Sequence, residues 1–347
     1  MKAIVKYALG KEGFGLMDIP EPSPKEGELK VKVIAAGICG GDIHAINDER
    51  GAIMPVALGH EFVGTVVETC GDVGKFKVGD YVCTLPACYS CGHCEFCKAG
   101  MVTLCPERKS IGTHRNGAMA EYVIVPAKYS FVVPHDVKDI YEFAMAEPFC
   151  CAVRGVYHRI NVKPGDVALV SGPGTIGQVA MQALKTRGAR VIASGLKADA
   201  HRLKLALDIG AADMIVDNED DLKVAMAKMG RPAGVNIAVE CAGHPSSLNV
   251  CMRAVGVKGT VLTLGYHGGH DISFCYDLSH IKELDMFGSN STAMEDWDVG
   301  LKLMIEGKVN LSPLATMKLP LADWKKGFDA FIKKEAYKVL FCPELDK

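Results

Sequence analysis

The chain has 347 residues, with 39 lysines and arginines against 41 aspartates and glutamates, 49% hydrophobic residues and 37 glycines. That length makes room for about two domains. A formal net charge of −2 with no basic block argues against nucleic acid as the main partner, and no apolar run approaches the ~18 residues that a transmembrane helix needs. The N-terminus, MKAIVKYALGKEG, has no signal-peptide core and begins like a strand. Fourteen cysteines without such a signal suggest a reducing, cytoplasmic setting, where thiols bind metal or fill cores.

The first ~150 residues read as β-rich. Short apolar runs such as LKVKVIAAGI, FVGTVVETCG, DYVCTLP and AEYVIVP end at Gly, Pro or Asp, which predicts an irregular barrel or sandwich. Within this region Cys39 stands in GICGGDIH, His60 and Glu61 in GHEFVG, and Glu147 in AMAEPF. A thiolate, an imidazole and a carboxylate with one position left open describe a catalytic zinc site. Each of these residues also has an ordinary reading: a core thiol, a satisfied turn histidine, a helix cap before Pro148.

Between those segments lies CGHCEFCKAGMVTLC, with Cys91, Cys94, Cys97 and Cys105 spaced by three, three and eight residues. Two short steps bring three thiolates to one metal and a longer lobe returns the fourth, as a closed, structural Cys₄ zinc site requires. Gly92 and Gly100 suit the turns. Cys88 precedes Cys91 by the same step, but the stretch without thiols before Cys105 favours the later four. Disulfides are disfavoured, because cysteines separated by two-residue gaps rarely reach the geometry.

From about residue 165 the rhythm becomes strand, helix, strand. Six strand candidates fall at 166–172, 190–195, 212–217, 235–243, 259–265 and 284–290, separated by helix-like segments such as QVAMQALKTRG that close on glycine. This predicts a doubly wound, six-stranded parallel sheet of the Rossmann type in an α/β protein. The first strand runs into Gly172, Pro173, Gly174, Thr175, Ile176 and Gly177. A G-x-G-x-x-G turn between strand and helix lets the backbone approach a pyrophosphate at the helix N-terminus. The second strand ends in Ser194 and Gly195 without an acid. Asp199 lies four residues beyond Gly195, whereas Lys197, His201 and Arg202 would suit a 2′-phosphate, so NAD and NADP both stay open. The last ~55 residues predict two helices and a final strand, AYKVLFCP.

Taken together, GICGGDIH, GHEFVGTV, VGDYV, the four-cysteine lobe, GAMAEYVIVP, AEPF, SGPGTIG and GTVLTLG make this sequence resemble the zinc-dependent medium-chain dehydrogenases over nearly its whole length. It resembles most their sorbitol and threonine dehydrogenase branch. The resemblance implies a GroES-like catalytic domain at 1–153 and 289–347, carrying the zinc lobe at about 88–106. It implies an inserted coenzyme domain at 154–288, a cleft between the two, and a homo-oligomer, dimer or tetramer. By the same resemblance Cys39 and His60 are catalytic zinc ligands. Glu61 and Glu147 alternate as third ligand or hold the water on the metal, Asp42 orients His60, and Gly265 joins the coenzyme site. A glutamate at 147, where simple alcohol dehydrogenases carry cysteine, points to the polyol-like branch.

Two positions depart from the family. Cys39-Gly40-Gly41-Asp42 lacks the usual relay hydroxyl, and His44 is the substitute proton carrier. Arg154 stands where sorbitol-type enzymes often have histidine. The implied reaction is oxidation of a secondary alcohol of a small polar substrate to a ketone, reversibly, with zinc as Lewis acid and a nicotinamide as hydride acceptor. Residues 45–54, His114, Arg115 and 290–292 are expected to line the substrate pocket, with Arg50, Arg115 or Arg154 available to an anionic group. A polyol, sugar alcohol or hydroxy acid fits that lining, as does a threonine- or butanediol-type substrate. Two rivals are a non-catalytic, zinc-stabilised nucleotide-binding scaffold and a zinc-free quinone reductase.

Overall fold

The structure is a computed structural model that describes residues 1–49 and 51–346; the expectation placed on Arg50 falls outside the described residues. The chain divides into two compact units, one formed by Met1–Glu147, Thr292–Glu306 and Leu311–Lys347, the other by Pro148–Ser291 and Gly307–Asn310.

In the first unit, strand Glu28–Gly37 is the hub. It runs antiparallel to Glu61–Cys70 along its length and to Tyr122–Pro126 at its start. Val339–Phe341 joins its far end, pairing Leu340 with Gly37 and Phe341 with Ala36. Seven of its ten residues are buried, because β-branched and small apolar side chains fill both faces of a covered strand. The core around it takes Ile4, Val31, Val33, Phe62, Phe328 and Phe341. Gly37 pairs with Glu61, so the end of one long strand meets the start of the other. Cys39 follows immediately as the N-cap of helix Gly40–Ile46. The β-rich reading of this region therefore holds, and its last strand comes from the C-terminus of the chain.

The second unit holds a parallel sheet of six strands: Val167–Ser171, Arg190–Ser194, Met214–Val216, Val235–Glu240, Val255–Thr263 and Asp285–Gly288. All neighbours pair parallel, in the order third, second, first, fourth, fifth, sixth. The central strand Val167–Ser171 is wholly buried, as a strand covered by helices on both faces must be. Strand order reverses between the first and fourth strands, and such a switch point opens a crevice at the carboxyl ends of the strands. The glycine-rich turn lies there, leading into helix Thr175–Thr186.

Candidate functional site: a mixed donor set, a thiol lobe and a dinucleotide turn

Helix Gly40–Ile46 begins with a capping box. The Asp42 carboxylate accepts the Cys39 backbone N–H at 2.9 Å, and the Cys39 sulfur accepts the Gly41 N–H at 3.4 Å. These bonds satisfy N–H groups that a helix start leaves open, and they aim the thiol at the start of strand Glu61–Cys70. Donor atoms of Cys39, His60 and Glu61 lie within 4.8 Å of one another. Asp42 stands 3.7 Å from His60 Nδ1. Burial raises the Cys39 thiol, reinforced by Glu61. Burial pushes His60 down, but Cys39 and then Asp42 outweigh it and hold the imidazole well above its ordinary value. Two potential anions and an imidazole, half-buried to buried, form a donor set that suits zinc. Glu147 is buried in the first turn of helix Ala146–Val153 and is not among these three clustered donors.

Lys338 is a residue that sequence reasoning missed. It is 1% exposed, donates to the Ile38 carbonyl at 2.9 Å and forms a buried ion pair with Glu61. Burial lowers its proton affinity, yet Glu61, Cys39 and Glu147 together raise it. Gly37 makes the pairing possible: a Cβ there would sit 2.7 Å from Glu61 Oε2 and 3.2 Å from Lys338 Cδ. The available signal was a lone lysine inside the apolar run AYKVLFCP.

In the lobe, the sulfurs of Cys91, Cys94, Cys97 and Cys105 lie within 4.8 Å of one another, and Cys88 is outside the group. Cys91 and Cys97 Sγ are 3.9 Å apart, close to the ~3.8 Å edge of a tetrahedron with ~2.3 Å zinc–sulfur bonds. The backbone N–H groups of Cys94, Cys97 and Cys91 each donate to a thiol sulfur at 3.4 Å. Such bonds favour thiolate. A hydrogen bond from Ser90, against the cost of burial, brings Cys97 down to about 6. Gly92 and Gly100 take φ of +77° and +74°, the left-handed turns expected of them.

At the dinucleotide turn, Gly172 has φ +104° and its Cβ position lies 2.8 Å from the Ala242 nitrogen. A Cβ at Gly177 would stand 1.9 Å from the Gly172 carbonyl oxygen, whereas Gly174 faces open space. Thr175 and Ile176 open the helix behind the turn. Gly195 packs on Pro173, 2.9 Å from its would-be Cβ, and Gly265 leaves room for Glu240, whose Oε2 would be 2.4 Å away. The Asp199 carboxylate accepts the Leu196 N–H at 3.2 Å and lies 3.8 Å from Arg202. Arg202 is buried, while Lys197 and His201 are exposed.

Some expected pocket residues are committed elsewhere. Arg115 makes a bidentate pair with Glu28 at 2.5 and 2.9 Å and, chiefly by that hydrogen bond, holds the Glu28 carboxyl below its usual range. Thr292 is fully buried; its hydroxyl accepts from Trp297 at 3.0 Å and its carbonyl from Thr103. Arg154 is buried in the second unit. His44 Nδ1 is 2.5 Å from Glu49 Oε2.

Cys94→Ser is expected to halve zinc content and lower the melting temperature, while Cys88→Ser leaves both unchanged; atomic absorption and calorimetry read this out. Lys338→Met leaves a buried carboxylate uncompensated, and denaturant unfolding should report a loss of about 3–5 kcal/mol, partly recovered in the Lys338→Met, Glu61→Gln double variant.

Residues 25–135 match the model of the alcohol dehydrogenase GroES-like domain, and residues 175–306 that of the zinc-binding dehydrogenases. The chain is 34% identical to the D-arabitol-phosphate dehydrogenase of Enterococcus avium, over 98% of this chain and 97% of that one. It is 34% identical to the sorbitol dehydrogenase of Halalkalibacterium halodurans, over 99% of each. It is 30% identical to the L-threonine 3-dehydrogenase of Shewanella putrefaciens, over 98% of this chain and 99% of that one. Among solved structures, a zinc-binding dehydrogenase of Sinorhizobium meliloti bound to NADP superposes with a TM-score of 0.89 at 31% identity, covering 99% of both chains. With a mixed donor set and a thiol lobe that suit two zinc ions, and relatives matched end to end, the chain belongs to the zinc-dependent, nicotinamide-linked medium-chain alcohol and polyol dehydrogenases.

Proposed function

We propose that the chain reversibly oxidises a secondary alcohol of a small polar substrate, a polyol, sugar alcohol or hydroxy acid, with NAD or NADP. The observation that carries this reading is the clustering of Cys39, His60 and Glu61 donors within 4.8 Å, a mixed set typical of a zinc that keeps a position for substrate. The names of two relatives, a sorbitol and an arabitol-phosphate dehydrogenase, favour a polyol over the threonine-type substrate of a third. The pairing of Arg115 with Glu28 removes one of the arginines that an anionic substrate would have used.

When bound, zinc supplies Lewis acidity to a substrate hydroxyl and the nicotinamide supplies the hydride acceptor. Cys39, His60 and Glu61 would hold the metal, with Asp42 keeping His60 oriented. Glu147 would serve as an alternative third ligand or accept a hydrogen bond from the substrate hydroxyl. Lys338 draws Glu61 back by its ion pair. The outgoing proton passes to His44. Gly41 has no hydroxyl to offer, while Glu49 fixes the His44 ring from its Nδ1 side. The nucleotide rests on the turn at 172–177, with Gly195, Lys197, Arg202 and Gly265 around it. No acid closes the second strand at Ser194, and Asp199 is engaged with Leu196 and Arg202, which supports weak discrimination against NADP.

We assign the protein to the cytoplasm and to a homo-oligomer. Among the described residues the fourteen cysteines form no disulfide, as a reducing compartment allows. Among the described residues no helix is long and apolar enough to cross a membrane. The sixth strand, Asp285–Gly288, is an open edge of the parallel sheet, with Val257, Tyr276 and Ile281 about 70% exposed. Open strand edges and apolar patches invite a second copy.

The test is a panel of sorbitol, arabitol, arabitol phosphate, 2,3-butanediol and L-threonine with both nucleotides, alongside zinc per chain. Two zincs and turnover of a polyol are expected. One zinc without turnover means the scaffold, and none means the quinone reductase. Glu147→Ala should cut turnover far more than dinucleotide affinity, and an active variant with full zinc makes Glu147 a helix residue only. His44→Ala should slow oxidation ~10²–10⁴-fold, most below neutral pH where hydroxide cannot substitute. Superimposable pH–rate profiles would assign the proton to another route.

A further inference from the structure

The four-thiol lobe shares one of its sulfurs with a second set of donors. Donor atoms of Cys91, His93 and Glu107 also lie within 4.8 Å of one another. His93 stands between Cys91 and Cys94 in sequence, and Glu107 follows Cys105 by two residues. Both side chains face solvent, 76% and 57% exposed, whereas Cys91 is half-buried and Cys105 buried. The second set thus runs from solvent to a thiol of the first.

The His93 ring is turned as a metal ligand would be. Its Nδ1 lies 3.0 Å from the Cys91 carbonyl oxygen. A carbonyl only accepts, so Nδ1 carries the proton, and in the neutral ring Nε2 keeps its lone pair. A backbone carbonyl on one ring nitrogen is the support that metal-binding histidines commonly have. Nε2 stands 4.0 Å from Glu107 Oε1, beyond hydrogen-bond reach. With the ring neutral, two electron-pair donors face each other there, and a cation between them satisfies both. Nitrogen and oxygen ligands on one tetrahedral zinc stand about 3.4 Å apart, so a small rotation of either exposed side chain closes the set. As an exposed ion pair the same two groups would add little to stability.

Metal exchange needs such a place. A closed set of four thiolates leaves no position open, so an ion arriving from water trades its waters for sulfur one at a time. An imidazole and a carboxylate take zinc without the grip that soft thiolates have. Cys91 belongs to both sets, so ligands can be exchanged without the ion leaving the chain. We propose that Cys91, His93 and Glu107 form an entry site through which a zinc ion passes into and out of the lobe. His93 Nε2, Glu107 and the Cys91 sulfur take the ion first. Cys94, Cys97 and Cys105 then displace the nitrogen and the oxygen, and each thiol that binds gives up its proton to solvent. Release runs through the same three residues in reverse.

The inference rests on the four thiols as a zinc site and not on the alcohol chemistry proposed above. Full-length protein carrying Cys39→Ala, which disables the other donor set, leaves the lobe zinc as the ion observed. Its exchange with excess zinc of a heavy isotope is followed by native mass spectrometry, and its affinity by competition with EDTA. In this background the His93→Ala, Glu107→Gln double variant should exchange zinc about 10- to 100-fold more slowly, the loss of affinity that follows from one missing group around a metal. Zinc content, affinity and melting temperature should stay as in the parent, because an entry site speeds loading and release alike. Free imidazole added to His93→Ala should restore part of the rate. Unchanged exchange in the double variant overturns the proposal. Weaker binding with faster exchange overturns it too, since His93 and Glu107 would then be stabilising the bound ion. A folded Cys39→Ala chain that holds no zinc would refute the lobe as a zinc site, and this proposal with it.

Discussion

The arrangement of the first unit turns on one junction, where three strands meet at Gly37. Strand Glu28–Gly37 ends there, Glu61 begins the next strand opposite it, and Leu340 pairs with it from the C-terminal strand. A residue with a side chain at 37 would collide with Glu61 and Lys338. With glycine there, a buried lysine and a buried glutamate can pair beside Cys39 and His60. Buried ion pairs add little net stability, because desolvation offsets their attraction, but removing either partner is costly. The junction therefore commits the C-terminal strand to the donor set.

That commitment has a chemical side. A carboxylate near a cation has two choices of partner when a lysine stands at hydrogen-bond distance. Lys338 holds Glu61 by one oxygen and keeps hold of the Ile38 carbonyl, one residue before Cys39. The same ammonium thus ties the carboxylate donor to the backbone that presents the thiol donor. Helix Gly40–Ile46 adds a second tie, since Asp42 caps the Cys39 N–H while facing His60. Two short hydrogen-bond networks hold three donors that come from two separate parts of the chain, Cys39 and the neighbours His60 and Glu61.

The second unit obeys a different constraint, the close approach of backbone at strand ends. Gly172 against Ala242, Gly177 against the Gly172 carbonyl and Gly265 against Glu240 are all contacts that a Cβ would break. These glycines serve one another's packing as much as any ligand. They also explain how a fully buried glutamate can end a parallel strand: two backbone N–H groups satisfy one of its oxygens.

Features that depend on local spacing were legible in the chain. The Cys₄ lobe follows from steps of three, three and eight residues, because a turn of that length brings thiols together whatever surrounds it. The six parallel strands and the glycine-rich turn follow from apolar runs and glycines within a few residues of one another. Distances between remote segments were not legible. Arg115 reads as a pocket arginine until the fold brings the Glu28 carboxylate to it across 87 positions of sequence. Lys338 is only a lone lysine in the apolar run AYKVLFCP until the C-terminal strand carries it 277 positions back to Glu61. His267 and Glu240, 3.5 Å apart, become a pair only because the fourth and fifth strands lie side by side. Sequence by itself determined which residue types were available and how neighbours along the chain would turn. Tertiary structure decided which charges met, because an ion pair depends on separation in space, which strand order sets and sequence distance does not.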